Sequence, residues 1–336
     1  MLRVSEEHAG LRADAYLALH LPFLSRTRVK QKIQTGESLL NGRRYASSAR
    51  LSRGDEIVVS WRKIPEVNPA PDLAVLYEDD DLIAVDKPAG VAAHPSGRIQ
   101  TGTAIQFIRS RLAGETARRL QAGDASFYPN LVNRLDRFTS GVMLAAKHRN
   151  ALAAMHLLAA RGMISKTYLL VVEGTVDRDA GRIELPIGQD AESGIGVKMR
   201  VRPDGAASVT EYRVRKRFEG HTLLDAFPLT GRQHQVRLHF ASMGHPVWGD
   251  LIYKDERLFM KYLANGCKTD DALPPRHLLH AERAVFIHPM SGKKIEIVSG
   301  LPRDFLEIME RLYRPGALSG SIGSDHAAGE LLKHPH

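Results

Sequence analysis

Apolar positions along the chain follow two alternating periods. Leu11, Ala15, Ala18 and Leu19 recur at helical spacing with Arg12 and Asp14 opposite, and Pro22 ends that helix. Ser25 is a suitable N-cap for a second helix, Arg26 to Thr35, closed by Gly36. Leu39 to Tyr45 has the form of two short strands around the Asn41-Gly42 turn, and Gly54 to Trp61 that of a turn and a strand. Residues 64–71 carry Pro65, Pro69 and Pro71, which favour an extended connector. This pattern predicts a first unit over residues 1–62, a linker over 63–71 and a second unit over 72–315. The Gly-, Ser- and Ala-rich residues 316–336 read as a disordered tail.

In the second unit, Val75 to Pro88 reads as strand, acidic turn and strand. Thr103 opens a helix with Ile105, Ile108 and Leu112 inward, and the polar stretch Ala113 to Phe127 reads as a surface loop. The run Val142 to Ala146 predicts a buried strand, Asn150 to Ala160 a helix, and Lys166 to Gly174 a second buried strand. Thr210, Tyr212 and Val214 alternate with charged residues as in a half-buried strand. A helix starting near Arg232 would put Val236 and Phe240 on one apolar face. Leu279 to Pro289 and Lys294 to Ile297 suit a hairpin, and a last helix, Arg303 to Tyr313, packs Phe305, Met309 and Leu312.

Composition adds two facts to this picture. Across 336 residues the formal net charge is +9, although hydrophobic (43%) and charged (25%) contents are those of an ordinary globular chain. That excess points to a polyanionic partner, nucleic acid before an anionic membrane surface. The single cysteine, Cys267, excludes an internal disulfide framework and fits a reducing compartment. No apolar run approaches the ~20 residues of a membrane span, and the start carries no signal-peptide pattern. A cytoplasmic protein is expected.

Candidate chemistry concentrates in Asn133-Arg134-Leu135-Asp136-Arg137-Phe138-Thr139-Ser140-Gly141. A carboxylate between two guanidinium groups stays ionised at neutral pH, in a setting that favours an anionic partner. The segment 139–141 is turn chemistry, with hydroxyls able to bond nearby backbone and a glycine free to take positive φ. A second dense polar cluster, Leu229 to Phe240, places Arg232, Gln233 and His234 at a predicted helix N-terminus, which attracts phosphate or a carboxylate. Arg26, Arg28, Lys30 and Lys32 surround the thin apolar stripe of the second helix and suit a phosphate backbone. Gly194 to Arg202 is a Gly-spaced basic segment suited to RNA contact. Metal binding is not expected: Asp79, Asp80 and Asp81 alternate across a strand, His234 and His239 do not share a helix face, and His277 and His280 lack a nearby acid or thiol.

Taken together, the motifs resemble the pseudouridine synthases of the RluA family over residues 75–313. The matching pieces are Lys87-Pro88-Ala89-Gly90 with His94-Pro95; Arg134-Leu135-Asp136-Arg137 with Thr139-Ser140-Gly141; and Lys166-Thr167-Tyr168 with Gly174. Further on they are Thr230-Gly231-Arg232 with His234-Gln235 and Arg237; Gly249-Asp250 with Tyr253; and Leu279-His280-Ala281 with His288-Pro289. Residues 11–60 resemble the S-four-like RNA-binding domain through Leu24 to Arg28, Ile33, Gly36, Leu40-Asn41-Gly42, Leu51 and Gly54-Asp55. The resemblance implies an α+β catalytic domain, a mixed and largely antiparallel sheet with flanking helices, behind a small α/β RNA-binding domain.

It also implies a monomeric enzyme that isomerises uridine in ribosomal or transfer RNA without cofactor or metal. Asp136 would be its essential carboxylate, acting as nucleophile or as the base that gives a glycal; both routes stay open. Arg232 would be the salt-bridge partner of Asp136, and Tyr168 would stack beneath the uracil. Arg134 would enter the RNA where the flipped nucleotide left. Arg137, Lys166 and the basic helix would contact RNA. Asn133 and Gln233 depart from the family's usual His and Thr, which bears on loop hydrogen bonding and on the choice of RNA. The rival classes are a non-catalytic RNA-binding scaffold and a nucleoside-bond hydrolase.

Overall fold

The computed structural model describes residues 1–21, 26–60, 72–96, 99, 101–124, 126–264 and 273–313. Ser25, the Pro-rich linker, Cys267 and the tail from residue 316 lie outside the described residues. The chain divides into two compact units, Met1–Val67 and Asn68–His336.

In the first unit, β1 (Leu2–Arg3), α1 (Ala13–His20), α2 (Arg26–Gln34), β2 (Ser38–Leu40) and β3 (Glu56–Val59) follow in order. The strands form an antiparallel sheet in the order β1-β3-β2. Its core joins Ala13, Tyr16 and Leu17 of α1 to Val29 and Ile33 of α2, Leu51 and Ile57. The Asn41-Gly42 turn forms, with φ of 49° and 78° closing Leu40 against Arg43. Beyond that turn, however, β2 pairs with β3, because Ser38, Leu39 and Leu40 meet Val59, Val58 and Ile57.

The second unit contains β4 (Val75–Glu78), β5 (Leu82–Lys87), α3 (Ala104–Arg111), α4 (Ala113–Gln121), β6 (Phe127–Leu131), β7 (Ser140–His148), α5 (Arg149–Ala160), β8 (Ile164–Glu173), β9 (Ala180–Glu184), β10 (Ile187–Gln189), β11 (Met199–Val201), β12 (Val209–Phe218) and β13 (His221–Pro228). After these come α6 (Gln235–Ser242), α7 (Leu251–Lys254), α8 (Glu256–Ala264), β14 (Leu279–Ile287), β15 (Lys294–Val298) and α9 (Arg303–Tyr313). Among the described residues ten of these strands form one sheet, β4-β5-β7-β14-β8-β13-β12-β9, with β15 on β14 and β6 on β7. All pairings are antiparallel except β7 with β14. The unit is therefore α+β, as the motif pattern implies.

Buried β7 reads as a continuous apolar run because both faces of the sheet are covered. Met143 and Ala145 pack with Ile105 and Ile108 of α3, whereas Val142, Leu144 and Ala146 pack with Ala151 and Met155 of α5. The segment Ala113 to Gln121, expected as a loop, is helix α4; Leu112 ends α3 and leads directly into it, and polar residues cover its exposed side. The basic segment near Gly194 also differs from expectation. Met199–Val201 pairs with Ile187–Gln189, and its cations are engaged by Glu256, Asp190, Glu192 and Asp204.

The junction of β7 and β14 positions the loop that carries Asp136. Gly141 has φ of 112°, and a Cβ there would lie 2.2 Å from the Ala281 carbonyl oxygen. Gly141→Ala must push the two central strands apart, so a loss of more than about 3 kcal/mol is expected. In a thermal melt this corresponds to a Tm lowered by roughly 6–12 °C.

Candidate active site

Asp136 lies on the loop from β6 to β7, which is held by one turn bond, Thr139 N–H to the Asp136 carbonyl (3.1 Å), and by long-range side-chain bonds. Thr139 Oγ1 pairs with His277 Nε2 (2.8 Å), and Ser140 Oγ with His280 Nδ1 (2.9 Å). Asn133 Oδ1 accepts the Leu144 N–H (2.7 Å), so the residue that departs from the family pattern ties the loop to β7. The Lys87 ammonium is fully buried and donates to the carbonyls of Pro88, Val91 and Arg137 at 2.9, 2.9 and 3.1 Å. Burial pushes it down to about 7, against the pull of Asp136 and Asp86. Lys87→Met would leave three carbonyls without this donor, so a loss of about 3 kcal/mol in urea unfolding is expected.

The partner of the Asp136 carboxylate is Arg237, not Arg232. Arg237 Nη1 donates to Asp136 Oδ2 at 2.9 Å, while its Nε and Nη2 fork onto Asp250 at 2.6 and 2.8 Å. Side chains of Arg237 and Asp250 are 4% and 1% exposed, and that of Asp136 is 24% exposed. Arg232 is exposed and donates from Nε to the Ala207 carbonyl (3.1 Å). The cause is local. The Gln235 carboxamide oxygen accepts from Thr230 Oγ1 and the Arg232 N–H, and His234 takes a left-handed conformation with φ of 55°. The helix consequently starts at Gln235, three residues later than expected, and projects Arg237 inward. An arginine flanked by buried Val236 and Leu238 had to find carboxylates, and that was the available signal for it.

Burial opposes ionisation of Asp136, but His234, Arg237 and Lys87 outweigh it and hold the carboxyl below its usual range. His234 is itself pushed down to about 4 by burial and by Arg237, so near neutral pH it is uncharged and Arg237 is the cation that acts. Among the described residues Asp136 Oδ1 accepts no hydrogen bond, which leaves one carboxylate oxygen for a substrate. Asp136 borders two clefts of about 450 and 630 Å³. The smaller includes Tyr168, Lys166, Gly231 and Arg283; the larger includes His94, Phe138, Ile252 and Phe259. Tyr168 on β8 pairs in register with Ala281 and Ala226, and burial with the Asp136 charge raises its phenol, which stays protonated.

Among the remaining sequence candidates, Arg134 is exposed on the rim of both clefts and makes no ion pair or hydrogen bond among the described residues. Arg137 instead donates to the Gly90 carbonyl (2.9 Å) and lies over Phe138, so it braces the loop. Lys166 is half-buried in the smaller cleft. In the first unit Arg26 and Lys30 are exposed, whereas Lys32 pairs with Glu37 at 2.9 Å. The Arg28 side chain lies outside the described residues.

Asp79, Asp81 and His288 converge with ligand atoms within 4.8 Å. His288 Nδ1 accepts the N–H groups of Met290 and Ser291, so Nε2 carries the proton and faces Asp79 at 3.1 Å. A metal would need a lone pair at that nitrogen. The cluster ties the β4–β5 turn to the β14–β15 turn.

The buried Arg237 fork thus holds one oxygen of Asp136 and leaves the other without a hydrogen bond among the described residues, beside a cleft that Tyr168 also lines. Comparison with known proteins gives this site its family. Residues 81–242 match the family described as RNA pseudouridylate synthase. Ribosomal large subunit pseudouridine synthase D of Xanthomonas campestris is 34% identical over 323 residues, 95% of this chain and 94% of that protein. Ribosomal large subunit pseudouridine synthase C of Vibrio cholerae is 33% identical, with coverages of 88% and 90%. The solved structure of human RNA pseudouridylate synthase domain containing 4 is 25% identical, covering 71% of this chain and 93% of that one with a TM-score of 0.55. The chain belongs to this family: it is an RNA pseudouridine synthase, an isomerase of uridine in RNA.

Proposed function

We propose that this enzyme isomerises uridine in large-subunit ribosomal RNA, with Asp136 as the essential carboxylate. The observation that carries the site assignment is the Arg237 fork, which engages Oδ2 and leaves Oδ1 without a hydrogen bond among the described residues, on a carboxylate that borders the Tyr168 cleft. Ionised Asp136 can attack the sugar or base, or take the ribose C2′ proton to give a glycal. In either route the uracil turns about its attachment, C5 bonds to C1′, and the C5 proton leaves. Tyr168 supplies a flat face beneath the base, and its protonated phenol makes it a stacking and donating group.

Lys166 and Arg134 favour the phosphates on either side of the target, and Arg134 fills the stack vacated by the flipped nucleotide. The first unit acts as the S-four-like domain, with Arg26 and Lys30 exposed on α2 for structured RNA. The enzyme works as a cytoplasmic monomer that needs neither cofactor nor metal. Among the described residues no helix is long and apolar enough to cross a membrane. The test supplies ribosomal RNA labelled with tritium at uridine C5, then maps the modified uridine in a strain lacking the protein. Tritium release with an intact chain is expected; free uracil would establish a hydrolase, and no release from ribosomal RNA would overturn the reading.

A further inference from the structure

Beside the Arg237 fork lies a histidine whose geometry the isomerisation scheme leaves unused. His234 caps α6 in the left-handed region, with φ of 55° and ψ of 18°, an uncommon conformation for a non-glycine residue. Its Nδ1 is 2.8 Å from the Tyr253 hydroxyl oxygen, which in turn accepts the Met199 N–H at 3.1 Å. With that oxygen engaged by Met199, the hydroxyl proton goes to Nδ1, since no other acceptor for it occurs among the described residues. The neutral ring then carries its proton on Nε2, and Nε2 lies 3.9 Å from Asp136 Oδ2.

The charged and titratable groups facing the ring are Asp136, Arg237 of its own helix, Asp250 and Tyr253 at α7, and His277. The gap of 3.9 Å is too long for a hydrogen bond. Two bonds of about 2.8 Å meeting at one oxygen reach about 4 Å when that oxygen is tightly bridged. Both clefts open at this point, because His234 and Asp136 line each of them.

We propose that His234 Nε2–H and Asp136 together form a binding site for the 2′-hydroxyl of the target ribose, with Tyr253 fixing the tautomer. The hydroxyl accepts from Nε2 and donates to the second lone pair of Oδ2, beside the bond from Arg237, so that Oδ1 stays free for the neighbouring C1′ and C2′. The site therefore reads ribose against deoxyribose at the reacting nucleotide. This inference rests on Asp136 being the centre of uridine isomerisation.

The test uses two stem-loop RNAs carrying pseudouridine at the mapped position, one with a ribose and one with a 2′-deoxyribose at that nucleotide only. As products they do not turn over, and their equilibrium affinities are measured by filter binding. Wild type is expected to prefer the ribose form about tenfold, the worth of one hydrogen-bonded hydroxyl. His234→Ala should bring the ratio near one, and Tyr253→Phe should lower it by releasing the tautomer. His234→Gln, which keeps an N–H donor, should retain most of it. A purely structural role would weaken both RNAs equally and leave the ratio unchanged. Equal affinities in wild type, or a tenfold ratio that survives in His234→Ala, overturn the proposal. Absence of tritium release by wild type on uridine RNA would instead remove the isomerisation reading beneath it.

Discussion

Asp136→Asn is expected to abolish tritium release from uridine-labelled RNA, by on the order of 10^4-fold, while the protein stays folded. The amide oxygen can still accept from Arg237 Nη1 where Oδ2 now accepts at 2.9 Å, and Arg237 keeps both bonds to Asp250. What the substitution removes is the negative charge, and with it the nucleophile or base. A thermal melt should accordingly shift by a few degrees at most, and RNA binding should persist. The pH profile of wild type supplies a second check. Because Asp136 ionises below the usual carboxylate range, its acid limb lies below that range, and from about pH 5 upward this group leaves the rate flat. An Asn variant that retains activity would move the chemistry to another residue.

The elements legible in the sequence are those whose period was unbroken and whose neighbours were close in the chain. Helix α5 and strands β7 and β8 lie within two residues of their expected bounds, since both faces of the sheet are covered and the apolar runs are long. Helix α4 was hidden because a polar, Gly114-containing stretch carries little apolar signal, and its support comes from Phe127 and Lys147 on neighbouring strands. The site was legible in its composition and not in its pairings. Asp136 and Tyr168 border one cleft, as the motifs implied, yet Thr139 reaches His277 and Ser140 reaches His280 across about 140 residues. Those bonds depend on the parallel register of β7 with β14, which pairs Ser140 with His280. The exchange of Arg232 for Arg237 has a local origin instead. A left-handed His234 delays the helix, and no spacing rule signals where a polar segment turns.

Arg237→Met is expected to cost less rate than loss of the carboxylate but more stability. It leaves the Asp250 side chain, 1% exposed, and that of Asp136 without their shared cation. Removing one partner of a buried ion pair costs about 3–5 kcal/mol, so a Tm lowered by roughly 6–20 °C is expected. The sign of the pH dependence separates this from a simple packing loss. In wild type the Asp136 carboxyl is held below its unfolded value, so its stabilisation is present above that value and fades as pH falls through the folded one. Without Arg237, burial, the largest influence on Asp136, dominates and raises that carboxyl above its unfolded value. The folded variant then binds protons more readily than its unfolded chain, and its deficit shrinks between pH 7 and pH 4. The melting curves of the two proteins should therefore converge on acidification. Arg232→Ala, whose guanidinium reaches only the Ala207 carbonyl, should melt within about 2 °C of wild type at every pH. A reversed ranking of the two arginine variants would restore Arg232 as the partner of Asp136. Arg237→Lys keeps the charge but cannot span both carboxylates, so it should fall between, with the acid limb of the rate shifted upward.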